Sequence, residues 1–85
     1  MESWLRCSVR QGQFPGEYAV AFATSNGQGV SMFASGEFVQ PEENLLRVEV
    51  LDRSQDAALI YLPARPFEVP SRTVLVPAKE LLVRR

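Results

Sequence analysis

Cys7 is the only thiol in the chain, and no histidine accompanies it. Ser-His-Asp and Cys-His arrangements need an imidazole to take up the proton of the nucleophile. Structural zinc sites need about four ligands drawn from cysteine and histidine, and this chain has one cysteine and no histidine. Cys7 falls in the alternation Leu5-Cys7-Val9, which reads as a small buried apolar side chain; a reactive thiol needs an exposed, electropositive setting. The carboxylates offer little more. Glu42 and Glu43 are adjacent, so an extended chain points them apart, whereas acid–base catalysis needs two groups converging on a substrate. Asp52 and Asp56 flank one polar turn, and a calcium loop needs roughly six to eight oxygens. Neither GxGxxG nor GxxxxGK[ST] occurs, and no helical pattern follows Gly27 or Gly29, so a phosphate cradle has no support. The expectation is a protein that is not an enzyme, with no cofactor and no metal.

Aromatic side chains are the stronger lead. Trp4 alternates with Leu5, Cys7 and Val9, so if those three are buried Trp4 lies on the open face. Exposed aromatics anchor interfaces. Tyr18 and Phe33 raise the same question, which makes Trp4, Tyr18 and Phe33 the candidate binding residues. The competing reading of Trp4 is a lid over the end of the core. Tyr61, between Ile60 and Leu62, reads as a core ring with its hydroxyl at the edge.

The elements that must position these residues fit one domain spanning residues 1–85. Hydrophobic residues make up 46% of the chain, too many for disorder. The net charge is -1, which opposes nucleic-acid binding. The charge is uneven: residues 1–45 carry two arginines against five glutamates, and residues 46–85 carry seven bases against five acids. Arg65, Arg72, Lys79, Arg84 and Arg85 therefore form a conceivable basic patch, with solvated rim charge as the plainer reading. A single cysteine favours a reducing compartment. The opening Met1-Glu2-Ser3-Trp4-Leu5-Arg6 lacks the basic and apolar regions of a signal peptide, and no apolar run reaches the ~20 residues of a membrane helix. A cytoplasmic location is expected.

The dominant period is two, the strand period. Trp4 to Arg10 predicts the first strand. Glu17 to Thr24 is the clearest, with Tyr18, Val20 and Phe22 on one face and Ala19, Ala21 and Ala23 on the other. Asn26-Gly27 then predicts a two-residue hairpin turn, since both residues tolerate positive φ. Gly29 to Ser35 is the partner strand, continuing to Gln40 after a bulge at Gly36. Pro41-Glu42-Glu43-Asn44 is a polar connection suited to a short helical turn. Leu45 to Leu51 and Ala57 to Leu62 predict a second hairpin. Pro63, Pro66 and Pro70 keep the next segment extended, with Phe67 and Val69 expected to pin it to the core. Arg72 to Val76 is the sixth strand.

The ending Thr73-Val74-Leu75-Val76-Pro77-Ala78-Lys79-Glu80-Leu81-Leu82-Val83 reads as strand, proline, one tight helical turn and a final short strand. In that it resembles the closing pattern of SH3-like barrels, most closely over residues 45–83. The resemblance implies an all-β fold: a single small antiparallel barrel of five or six short strands with one closing helical turn. An OB-like barrel or small sandwich is the alternative. Peptide-binding SH3 domains use a tryptophan after an acidic loop and a proline and tyrosine in the closing turn. Here Pro77 matches, but Leu81 stands at the tyrosine position and no tryptophan follows the loop. The SH3-like type II dihydrofolate reductases use Gln-Ile-Tyr before the closing proline, where this chain has Val74-Leu75-Val76. The expected function is a non-catalytic interaction or assembly module with a protein partner, another chain or a second copy in a homodimer. A nucleic-acid-binding barrel and a pocket formed at an oligomer interface are the alternatives.

Overall fold

β1 (Glu2–Arg6) and β2 (Ser8–Gln11) come from the one predicted first strand, which breaks at Cys7 and divides between two sheets. The computed structural model describes residues 1–84. At the break the Cys7 amide donates to the Asn44 carbonyl at 3.0 Å, outside both ladders. Asn44 closes the Pro41–Asn44 turn with φ 57°, a left-handed conformation that asparagine tolerates better than most residues.

β3 (Glu17–Ala23) and β4 (Gly29–Ser35) form the first hairpin and, with β2, a three-stranded sheet in the order β2-β3-β4. The turn between them is longer than the predicted two residues. The Thr24 amide donates to Gln28 O at 2.9 Å, enclosing Ser25, Asn26 and Gly27. Only Gly27 takes positive φ, at 85°. Asn26 instead turns its side chain inward, where Oδ1 accepts from the Gln28 amide and from Thr24 Oγ1. A side chain that closes its own turn in this way removes the need for a second left-handed residue.

Gly36 does not form the expected bulge. It opens a 3-10 turn, Gly36–Phe38, before the two-residue β5 (Val39–Gln40). Its amide donates to Gly16 O at 2.7 Å, and a Cβ at Gly36 would stand 3.2 Å from that oxygen.

β6 (Leu45–Arg53) organises the larger sheet. Residues 45–48 pair with β1, Leu45 and Leu46 also pair with β5, and residues 49–53 pair with β7 (Ala57–Tyr61). A register shift between Val50 and Asp52 leaves Leu51 outside the ladder and bends the strand where it changes partners. β8 (Thr73–Pro77) follows β7, the 3-10 turn Ala78–Glu80 comes next, and β9 (Leu81–Arg84) ends beside β1. The helical turn expected after Pro77 is therefore present.

The strand order β8-β7-β6-β1-β9 puts β8 and β9 at opposite edges. A flat sheet would hold them roughly 19 Å apart, four spacings of about 4.8 Å. Pro77 and Leu81 are joined by only Ala78–Glu80, which cannot span that distance even extended, at ~14 Å. The sheet therefore curls until its edges approach. No ladder joins β8 to β9 among the described residues, so the sheet stays open and the closed barrel expected from the sequence is not formed. What the structure gives is an all-β fold of two antiparallel sheets.

One hydrophobic cluster fills the space between the sheets. It takes Val20, Met32 and Ala34 from the smaller sheet and Leu5, Leu46, Val48, Ile60, Val74, Val76 and Leu81 from the larger. The alternations that predicted the strands also supply this core, because side chains at every second position share a face.

Candidate interaction surface

Trp4, Tyr18 and Phe33 fall in three different environments. Trp4 is not on an open face: it is 4% exposed, while its neighbour Leu5 is 1% exposed. Alternation placed the two on opposite faces, and they are, but both faces are covered. Leu5 joins the main core, whereas Trp4 shares the other face with Leu45 and Leu82 by register. On that face Arg84 of β9 donates to Gln40 Oε1 of β5 at 3.0 Å and pairs with Glu43. This bridge joins strands that flank β1 and β6, so it spans the face that carries Trp4. Trp4 Nε1 has no acceptor among the described residues. A residue held this way acts in folding, not as an exposed anchor.

Tyr18 and Phe33 lie on opposite faces of the smaller sheet. Tyr18 is opposite Ala34 and packs half-buried against the core, while Phe33 is opposite Ala19 on the outer face. The large face of β3 turns inward, and its uniformly small face turns to solvent. The outer surface therefore carries Ser8, Ala19, Ala21, Ala23, Ser31 and Phe33, with Arg10 and Glu17 at its margins.

Phe33 has a partner that periodicity could not supply. The Phe67 ring meets it edge-on, with centroids 5.5 Å apart at 83°. Phe67 was expected to pin its segment to the core, but it is 66% exposed. Pro66 and Val69 take the inward positions, buried and half-buried. The segment instead lies along the outer edge of β4. The Phe67 amide donates to Ser31 O at 2.9 Å. The Ser31 amide donates to Glu68 Oε1 at 2.7 Å, and the Ser31 hydroxyl donates to Oε2 of the same carboxylate. These two bonds to the charged form hold the Glu68 carboxyl below the usual carboxylate range. The only signal in the sequence was the run of prolines, which fixes an extended backbone but not the edge it meets.

Elsewhere, a cleft of about 660 Å³ opens beside the bend in β6, lined in part by Arg47, Glu49, Tyr61 and Arg72. The Arg72 guanidinium lies 4.5 Å over the Tyr61 ring and donates through Nε to Leu62 O at 3.0 Å. Arg47 approaches Glu2 at 3.7 Å, so the cleft's charges are of both signs. Tyr61 is at the surface, not in the core as its neighbours implied; register places it opposite Glu49 and Thr73 on the outer face.

Burial pushes the Cys7 thiol up to about 12, so it stays protonated at neutral pH. Its Sγ lies 3.7 Å from Asn44 O, the oxygen that also accepts the Cys7 amide. Among the described residues no cluster of three or more His, Cys, Asp or Glu is placed to hold a metal ion. Of the basic residues, Arg72 and Lys79 flank opposite ends of β8, Arg84 is paired with Glu43, and Arg85 lies outside the described residues. No helix among the described residues is long and apolar enough to cross a membrane. The chain matches no protein-family model, no curated protein and no solved structure.

Proposed function

We propose that this chain is a non-catalytic interaction module that meets a protein partner on the outer face of its smaller sheet. The observation that carries the reading is that face itself: alanines and serines, with Arg10 opposite Ala19 along one edge and the Glu68 carboxylate on Ser31 along the other, bordered by the exposed Phe33–Phe67 pair. Small side chains leave a flat surface that another backbone or sheet can approach, and exposed aromatics supply the buried anchors that dominate interface energies. The partner is another protein or a second copy of this chain. On this reading the curled larger sheet is an open form of the SH3-like architecture. The support is the strand, 3-10 turn and strand of residues 73–84, which draws the two edges of the sheet together.

The test is association. Size-exclusion chromatography with light scattering measures self-assembly, and pull-down from the host followed by identification measures partners. Phe33→Ala should abolish whichever association is found, with the strand circular-dichroism signal unchanged. A strictly monomeric chain with no partner, or a complex indifferent to that substitution, would sink the proposal.

A further inference from the structure

The outer edge of β4 is one end of the order β2-β3-β4, so its outward N–H and C=O groups lack a strand partner. Such an edge is a template for pairing unless something covers it. Here the cover is residues 67–68, and it is thin. It consists of one backbone bond from Phe67 to Ser31 O, two bonds from Ser31 to the Glu68 carboxylate, and the Phe33–Phe67 ring contact. Phe67 and Glu68 are both exposed, while the half-buried Val69 and buried Pro66 anchor the segment on either side.

What covers the edge also reports what the edge accepts. A backbone N–H meets Ser31 O, as in a strand ladder. A carboxylate replaces the backbone carbonyl that would otherwise receive the Ser31 amide, and takes the Ser31 hydroxyl as well. An aromatic ring from the residue just before that carboxylate meets Phe33 edge-on. We infer that the β4 edge is a strand-docking site for an extended peptide carrying an aromatic residue followed by an acidic one. Residues 67–68 are its built-in occupant, and the partner's peptide displaces them. The inference rests on reading the chain as an interaction module and names one recognition element of that surface. Affinity would come from main-chain bonds and specificity from the side-chain pair, as in other β-augmentation complexes.

Displacement sets the expected behaviour. A site open for only a fraction of the time shows its affinity reduced by that fraction. Removing Glu68 raises the fraction without touching β4.

The probe is a capped synthetic peptide with the sequence of residues 64–70, Ala-Arg-Pro-Phe-Glu-Val-Pro. It is offered to the isotopically labelled wild-type chain and to Glu68→Ala, with hydrogen exchange at the Ser31 amide as the readout. In Glu68→Ala that amide should exchange about tenfold faster than in the wild type, as an exposed edge does. The peptide should restore its protection and bind Glu68→Ala at least about tenfold more tightly than the wild type. A peptide with alanine in place of both Phe and Glu should do neither. Glu68→Gln keeps an oxygen acceptor for the amide and should fall between.

Three results overturn the inference: Ser31 exchange in Glu68→Ala as slow as in the wild type; a freed amide that the peptide fails to protect at about 1 mM, the weak end of specific binding; or Glu68→Ala eluting as a dimer, because the occupant would then be a second copy. The peptide is supplied in purified form. Its failure is therefore separate from the failure of the chain to find any partner, which is read by the association experiment.

Discussion

Trp4→Ala should cost the fold much of its stability, and the size of the loss tests where the side chain sits. Trp4 is 4% exposed, and truncating a large buried aromatic to alanine costs about 3–5 kcal/mol. Part of that is offset, because the substitution also removes a buried N–H with no acceptor among the described residues, a group that costs about 1–3 kcal/mol to bury. Taking the middle of each range, the net expectation is a loss of about 2 kcal/mol. Small domains lie near the low end of the ~5–15 kcal/mol range of native stability, so this is a large share of the total. With a urea dependence of ~1 kcal/mol per M for a chain of this size, the unfolding midpoint should fall by about 2 M. Trp4→Phe separates the two contributions: it keeps an aromatic ring, removes the donor, and should lose about 1 kcal/mol or less. Urea titration followed by far-ultraviolet circular dichroism is the assay, since the chain has one tryptophan and both variants lose its fluorescence. A Trp4→Ala midpoint within about 0.5 M of the wild type would refute the burial argument, because only surface positions are that tolerant. A Trp4→Phe loss above about 2 kcal/mol would refute the cost assigned to the indole N–H.

Cys7 should resist alkylation in the folded chain. With its thiol raised from 9.0 to about 12, iodoacetamide at pH 8 should react about a thousandfold more slowly than with the urea-unfolded chain, and equal rates would contradict the burial. Acid should release the segment that covers β4. The Glu68 carboxyl titrates below its unfolded value, so its bonds to Ser31 are present above that value and lost as pH falls through the folded one. Ser31 amide exchange, corrected for its intrinsic pH dependence, should therefore accelerate on acidification in the wild type but not in Glu68→Ala. Gly27→Ala should destabilise the first hairpin by about 1 kcal/mol, because alanine strains at positive φ. Gly29→Ala, two residues on, meets no atom within 4 Å of the added Cβ and should be neutral or slightly stabilising in the same thermal melt.

Period-two alternation was enough to place most strands, because a strand that buries one face writes that face at every second residue. Val20 and Met32, Leu46 and Val48, and Val74 and Val76 were legible in this way, and all are core. Asn26-Gly27 located the hairpin, and the residues around Pro77 located the closing turn. Alternation fails where both faces are covered. Trp4 read as either an exposed residue or a lid over the core, because the pattern along one strand cannot report that Leu82 of β9, 78 residues away in the chain, returns beside it on the second face. Tyr61 read as core because its apolar neighbours hide the fact that its own face looks outward. The candidate surface was half visible. The alanine face of β3 is a sequence pattern, but its exposure, the Phe33–Phe67 contact and the Glu68 bonds to Ser31 join residues about 35 positions apart. Local composition fixes which backbone conformations and faces are available. Which edges are left open, and which segment comes back to cover them, depends on long-range contacts that only the folded chain sets.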